Sequence, residues 1–509
     1  MRTALWRSIS IGAVAGAAIL LLAGGAVQAE VNLPNIFSDH MVLQQAQKNR
    51  VWGTAAAGEA VTVTIDKQTH KVAAGADGKW QVELDPLPVG GPYVLVVSGS
   101  NEVKIDDVLV GEVWICSGQS NMQWGVNNSN DADLERLAAR FPNLRMINFP
   151  NVGVQEPIWT HPNSKWMTCT PETVGGFSAV GYFFARQLHR TLDVPVGMIN
   201  NAWGGSACEA WIRRDLLAAD EKLKPIADRW TQMESQLSEL SGKTCLNDDQ
   251  TKQLAQLKGA MGGNSRPGNI YNGVLKSHLG YGIKGAIWYQ GESNAGRAYQ
   301  YRDLFPLMIK SWRDEWGQGE FPFYWVQLAD FLSENPNQFD SAWAELREAQ
   351  TMTMSKLANT GEAVIIDIGE GKDIHPKNKV DVGRRLARWA LAKDYGQQVA
   401  FHSPQYQSME KQGNKIVLTF DHVDGGWRPF DTNEPRGFAI AGEDKKFVWG
   451  TAKTLPDGKI EVSAAGIEQP AAVRYGWADN PVVNMYSGAG LPLTPFRTDD
   501  WPGVTINNN

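Results

Sequence analysis

Five short, almost wholly apolar runs punctuate the middle of the chain: Val113–Cys116, Val196–Asn200, Gly285–Tyr289, Phe323–Gln327 and Ala363–Asp367. The segments between them, including Ala179–Leu192, Tyr299–Trp316, Trp343–Leu357 and Val380–Lys393, carry apolar residues at helical spacing. Strands that are apolar on both faces have to be covered on both faces. From about residue 111 to 400 the pattern therefore predicts a parallel sheet between two helical layers. A charged, helix-favouring stretch at 213–258 reads as a surface excursion from that domain. On either side the texture changes. Ala60–Ile65, Trp80–Leu84 and Tyr93–Val97 alternate at period two between turn signals such as Asp77-Gly78, and similar runs return at Lys415–Phe420 and Lys459–Val462. This predicts β-sandwich-like segments over 30–110 and 401–509. No internal repeat is visible.

Composition narrows the function. A chain of 509 residues, 43% hydrophobic and 20% charged, has room for two or three domains and is too apolar for disorder. The formal net charge of -7, with no Lys/Arg block, excludes a phosphate backbone as partner. Four cysteines (Cys116, Cys169, Cys208 and Cys245) are too few for a disulfide framework, and none sits in a C-x-x-C pair that would hold zinc. Cys116, inside an apolar strand, reads as a thiol, and Cys208 with Cys245 is the one bridge considered. At the N-terminus Arg2 and Arg7 precede the uncharged stretch Ser8–Val27 and a small residue, Ala29. That is the layout of a signal peptide over residues 1–29, with an uncleaved anchor as the alternative. The expected location is periplasmic or secreted, with no membrane association after cleavage. Twenty tryptophans are either core fillers or platforms for sugar rings. Nothing in the sequence indicates the oligomeric state.

In a doubly wound sheet, ligands bind beyond the carboxyl ends of the strands. Four polar junctions lie there. Ser117-Gly118-Gln119-Ser120-Asn121-Met122 follows the first run and places a serine at a strand-to-helix turn, either as a nucleophile or as a helix cap. Asn200-Asn201-Ala202-Trp203-Gly204-Gly205-Ser206 follows the second; its two glycines either let backbone N–H groups approach a ligand or form a plain loop. Gln290-Gly291-Glu292-Ser293-Asn294 follows the third. Asp373-Ile374-His375-Pro376 follows the last, and of the eight histidines His375 alone combines a strand-end junction, a neighbouring acid and a helix-starting proline. Serine first, then an acid and a histidine near the end, is an order in which imidazole can take a serine proton and a carboxylate can hold its tautomer.

These junctions resemble the motifs of the sialate O-acetylesterase group of the SGNH hydrolase superfamily. Gly118-Gln119-Ser120-Asn121-Met122, Trp203-Gly204-Gly205, Trp288-Tyr289-Gln290-Gly291-Glu292-Ser293-Asn294 and Ile374-His375-Pro376-Lys377 occur in that group's order. Asp39-His40-Met41-Val42-Leu43-Gln44 and Val110-Gly111-Glu112-Val113-Trp114 extend the likeness over most of the chain. The resemblance implies a flavodoxin-like three-layer α/β/α domain with β-rich flanks and a serine esterase that removes O-acetyl groups from sugars without metal or cofactor. It implies Ser120 as nucleophile and His375 as general acid and base. The implied oxyanion donors are the Ser120 N–H, an N–H from Gly204 or Gly205, and a side chain of the third motif. Gln290 is preferred for the last because it lies nearest the strand end, with Asn294 as the other choice. The superfamily's acid stands three residues before the histidine, where this chain has Lys372. Asp373, two residues before, is then the third member, with Glu292 or Asp367 as replacements. The first motif lacks G-x-S-x-G, which argues against an α/β-hydrolase elbow. Trp124, Trp203 and Trp211 adjoin the motifs as sugar-cleft walls or as core. The expected substrate is an O-acetylated glycan, foremost acetylated sialic acid, with acetylated xylan, xyloglucan or another plant polysaccharide as the alternative. A non-catalytic glycan-binding protein is the reading from another class.

Overall fold

The structure, a computed structural model, describes residues 30–508; the expected signal peptide at 1–29 lies outside them. The central strands are β1 (Glu102–Gly118), β2 (Phe141–Asn148), β3 (Val196–Asn200), β4 (Gly285–Tyr289), β5 (Phe323–Val326) and β6 (Thr360–Ala363). They lie side by side in the order 6-5-4-1-3-2, all parallel, with the short antiparallel strand Met167–Cys169 beside β2. The chain builds one side of β1 first and then crosses to the other, so the topological switch lies at the end of β1.

Five helices matter for the site: α1 (Ser120–Gln123), α2 (Ala179–Leu192), α3 (Ala298–Trp316), α4 (Ala342–Lys356) and α5 (Lys379–Lys393). The side chains of β5 show the layering. Phe323 and Trp325 both meet Phe305 of α3, whereas Tyr324, between them, faces Trp389 of α5. Alternate residues of a strand point to opposite faces, so α3 and α5 cover opposite sides of the sheet. On the α5 side, Gly383 lies against α2 so closely that a Cβ would be 2.7 Å from Phe183 Cβ.

The flanks differ in how they join the centre. β1 is one strand of 17 residues. Its first half pairs antiparallel with Gly90–Ser98, and its second half pairs parallel with β3 and β4. The expected boundary at 110/111 therefore falls inside a strand, and Val63, Leu95 and Val97 share one buried cluster with Val113 and Ile115. The C-terminal segment has two four-stranded sheets, one around Lys415–Asp421 and one around Phe438–Gly442, with a separate core that includes Ile416, Leu418, Ile440 and Val473. It is tied to the α/β body through Arg347, fully buried, whose guanidinium donates to the carbonyls of Leu328 and Ala329 on one side and Ala478 and Asp479 on the other. Carbonyl oxygens placed around the fork satisfy a buried cation that has lost its water.

Three expectations need correction. Of the run Ala363–Asp367 the four apolar residues Ala363, Val364, Ile365 and Ile366 are buried, but the ladder occupies Thr360–Ala363. Past Ala363 the chain leaves β5, and there Arg385 donates to the Val364 carbonyl and to both Asp367 oxygens. Cys208 and Cys245 do not form a bridge: both are free thiols, the first buried and the second exposed. The excursion at 213–258 is helical as expected but runs on to Met261, as Arg214–Ala219, Lys224–Ser241 and Asp248–Met261, the last opened by an Asn247/Gln250 capping box. Among the described residues no helix is long and apolar enough to cross a membrane.

Candidate active site

The site begins with a glycine the turn requires. Gly118, last residue of β1, has φ +130°, and a Cβ there would lie 2.2 Å from the Tyr289 carbonyl oxygen of β4. The next N–H, of Gln119, donates to that same oxygen at 2.9 Å, so the chain turns sharply against β4 and α1 starts at Ser120. The Gln119 side-chain oxygen accepts from the Gly291 and Ser293 N–H groups at 3.3 and 3.4 Å, which joins the first motif to the third.

Ser120 Oγ and His375 Nε2 are 2.8 Å apart, although 255 positions separate them in the chain. This is hydrogen-bond contact between a hydroxyl and a base. The imidazole lies nearly flat on the Trp124 indole, with centroids 4.7 Å apart and 13° between the planes, and the indole N–H is held by the Asn128 carbonyl. Trp124 is thus the platform on which His375 rests. Partial burial holds the His375 pKa below the ordinary imidazole value of 6.5, with the nearby Lys379 and Lys377 ammoniums pushing the same way and Asp373 opposing. The ring is therefore biased toward the neutral form that accepts a proton.

Asp373 reaches His375 through an Asx turn. Its Oδ1 accepts the His375 backbone N–H at 2.9 Å and stands 3.4 Å from ring Nδ1, while Oδ2 faces the Lys377 ammonium at 3.3 Å. The ring contact is long for a hydrogen bond, so Asp373 orients the imidazole weakly. The two replacements lie elsewhere: Asp367 is in a bidentate pair with Arg385, and Glu292 is bonded to Asn121. Asp373→Asn is accordingly expected to lower kcat on p-nitrophenyl acetate by only about tenfold, far less than the ten-thousandfold known where a buried triad aspartate is replaced. Steady-state rates of the purified variant check this.

The candidate oxyanion donors sort by what already occupies them. The Gly204 N–H donates to Gln123 Oε1 at 2.8 Å and is engaged. Among the described residues the Ser120 and Gly205 N–H groups have no protein acceptor. Asn264 Nδ2 holds the Gly204 carbonyl at 2.6 Å; because the two groups of a trans peptide point in opposite directions, the Gly205 N–H is turned away from Asn264. Gln290 is a correction. It is fully buried, its amide N–H groups go to the Ser206 carbonyl and Asn294 Oδ1, and its oxygen accepts from the Tyr301 hydroxyl. A strand-end position brought it near the rim, but three buried partners keep its amide in the core. Asn294 is likewise engaged, by the Cys208 N–H and Glu209. Trp211 is core, fully buried with its N–H on Ser206 Oγ and packed against Trp288 and Trp312. Trp203 is half-buried, its backbone N–H on the Gly118 carbonyl. Sequence reasoning missed Gln119, Gln123 and Lys379. The first two are polar residues flanking the serine within its motif, and Lys379 stands four positions after the histidine, spacing that puts a helix-starting residue beside it.

This chain matches the model of a family described as carbohydrate esterase, sialic acid-specific acetylesterase over residues 110–392, more than half its length. It is 28% identical to the human sialate O-acetylesterase, covering 92% of this chain and 93% of that protein, and 29% identical to the mouse one over 81% and 83%. Among solved structures it is similar to a carbohydrate acetylesterase from Xanthomonas citri, with TM-score 0.80 and 37% identity over 92% of this chain and all of that one. A serine and a histidine meeting at the switch point of a parallel sheet, in a chain with these relatives, place it in the sialic acid-specific acetylesterase family of carbohydrate esterases.

Proposed function

We propose that this carbohydrate esterase removes O-acetyl groups from sugars, foremost acetylated sialic acids, through an acetyl-serine intermediate. The observation that carries the mechanism is the 2.8 Å contact between Ser120 Oγ and His375 Nε2. Neutral His375 takes the Ser120 proton as Oγ attacks the acetyl carbonyl carbon, and the Ser120 and Gly205 N–H groups stabilise the oxyanion. Collapse expels the sugar alkoxide, which takes the proton from His375 and leaves as the alcohol. Water, deprotonated by the same imidazole, attacks the acetyl-serine, and acetate leaves with Ser120 restored. The preference for sialic acid rests on the names of the relatives.

Acetate release from a panel of O-acetylated sialic acids, acetylated xylo-oligosaccharides and acetylated xyloglucan tests the reading. Acetate is expected foremost from the sialic acids; release from the plant glycans alone would overturn the substrate, and none from any member would overturn the activity. In the same assay kcat/KM should rise with pH as His375 loses its proton. Because the folded ring titrates below 6.5, the midpoint of this acid limb is expected below pH 6.5.

A further inference from the structure

We propose that Asn121 and Lys379 are positioning residues that hold Ser120 and His375 in contact, an inference that rests on the acetyl-serine reading above. Asn121 follows the nucleophile on the first turn of α1 and is 1% exposed. Its Nδ2 donates to Glu292 Oε1 at 2.7 Å and to the Ile374 carbonyl at 2.9 Å, and its Oδ1 accepts from Lys379 Nζ at 2.5 Å. Ile374 is the residue before His375. One side-chain amide thus bridges from the residue after the nucleophile to the peptide before the base.

The chemistry of the partners fixes which way the amide faces. An ammonium only donates, and a carboxylate and a carbonyl only accept, so a flip would set N–H against ammonium and oxygen against two acceptors. Lys379 is fully buried at the start of α5, its Nζ 5.3 Å from the centre of the Tyr289 ring, and Glu292 keeps its second oxygen buried and unpartnered. Burial lowers the Lys379 pKa to about 7 and raises that of Glu292. Ionisable groups placed in a dry interior carry a desolvation cost that an apolar filler would avoid, and the best-attested reason to keep such groups is to set register. Here the register is that of the loop before α5 against α1.

The test compares Lys379→Met, Lys379→Gln, Asn121→Ala and the Asn121→Ala/Lys379→Met double variant by kcat and KM on p-nitrophenyl acetate, with thermal melting to establish that each is folded. Lys379→Met and Asn121→Ala are each expected to lower kcat by about tenfold to a hundredfold, the loss that follows a shift of about 1 Å, with KM within about twofold of wild type. Because Lys379 acts through Asn121, the double variant should be no worse than the poorer single. Lys379→Gln keeps a donor for Asn121 Oδ1 without the charge and should recover most of kcat.

A pH readout separates this from simple packing. His375 is faced by Asp373, Lys377 and Lys379, with Trp124 on its ring face and Ser120 at Nε2. Removing one positive charge stabilises the imidazolium, so the acid limb should move to higher pH in both Lys379 variants. A folded Lys379→Met enzyme with wild-type kcat, a loss confined to KM, losses that multiply in the double variant, or an unmoved limb in Lys379→Gln would overturn the proposal. If wild type hydrolyses the reporter and Ser120→Ala does not, the esterase reading stands whatever the Lys379 variants do.

Discussion

Ser120→Ala is expected to reduce hydrolysis of p-nitrophenyl acetate by at least about a thousandfold, with the fold unchanged. In the proposed mechanism the hydroxyl is the atom that forms the new bond, so removing it leaves only the proposed oxyanion donors and binding, which elsewhere retain a small residual rate over water. The alanine also leaves Nε2 of His375 without the partner it has at 2.8 Å. His375→Ala should cost about as much. The double variant should be scarcely worse than either, because a nucleophile and its base act as a unit. Stopped assays with purified protein, and loss of the acetylated Ser120 peptide in mass spectra of quenched reactions, check the first result. A Ser120→Ala enzyme at wild-type rate would remove the acetyl-serine mechanism and leave the family membership in place.

Gly118→Ala should have the largest effect on stability. The substitution meets two obstacles. At φ +130° an L side chain is strained, and its Cβ would lie 2.2, 2.7 and 2.9 Å from the carbonyl oxygen, carbonyl carbon and nitrogen of Tyr289. Those atoms are backbone of β4, paired with β1 at Trp288 with Ser117 and Tyr289 with Gly118, so they retreat only by breaking the ladder that carries the site. Strain of this kind together with a backbone clash is expected to cost about 3 kcal/mol or more. The outcome should be a strongly lowered melting temperature or no accumulation of folded protein, and little activity in what remains, because Ser120 stands two residues on. Gly259→Ala is the control: it lies within Asp248–Met261 with open space at its Cβ, and alanine there should be neutral or slightly stabilising. Thermal melts of the two variants beside wild type decide it, and equal melting temperatures would contradict the steric account.

The contact pair Ser120 and His375 was legible as a candidate because its two members sit at places the local pattern marks. A serine after a buried strand, and a histidine before a helix and after another, are recognisable without knowing the partner. Asp373 was legible for a different reason, since an Asx turn is a two-residue device. The Gln290 side chain was not. Its position after β4 is that of a rim residue, yet Ser206, Asn294 and Tyr301 draw its amide inward. Asp367 also lies at a strand end, and there a buried arginine from α5 decides where the carboxylate goes.

By itself the sequence determined the alternation of strands and helices, the parallel sheet with both faces covered, the β-rich flanks and the motifs that mark the family, because burial period, helix starts and turn chemistry are written over short spans. Tertiary structure alone decided that Ser120 and His375 touch, that the N-terminal β segment shares β1 and its core with the α/β body, that Cys208 and Cys245 stay apart, and that Gln123 takes the Gly204 N–H. Each of these is settled by competition among partners brought together from distant parts of the chain, and a hydrogen bond goes to whichever acceptor the packed fold presents.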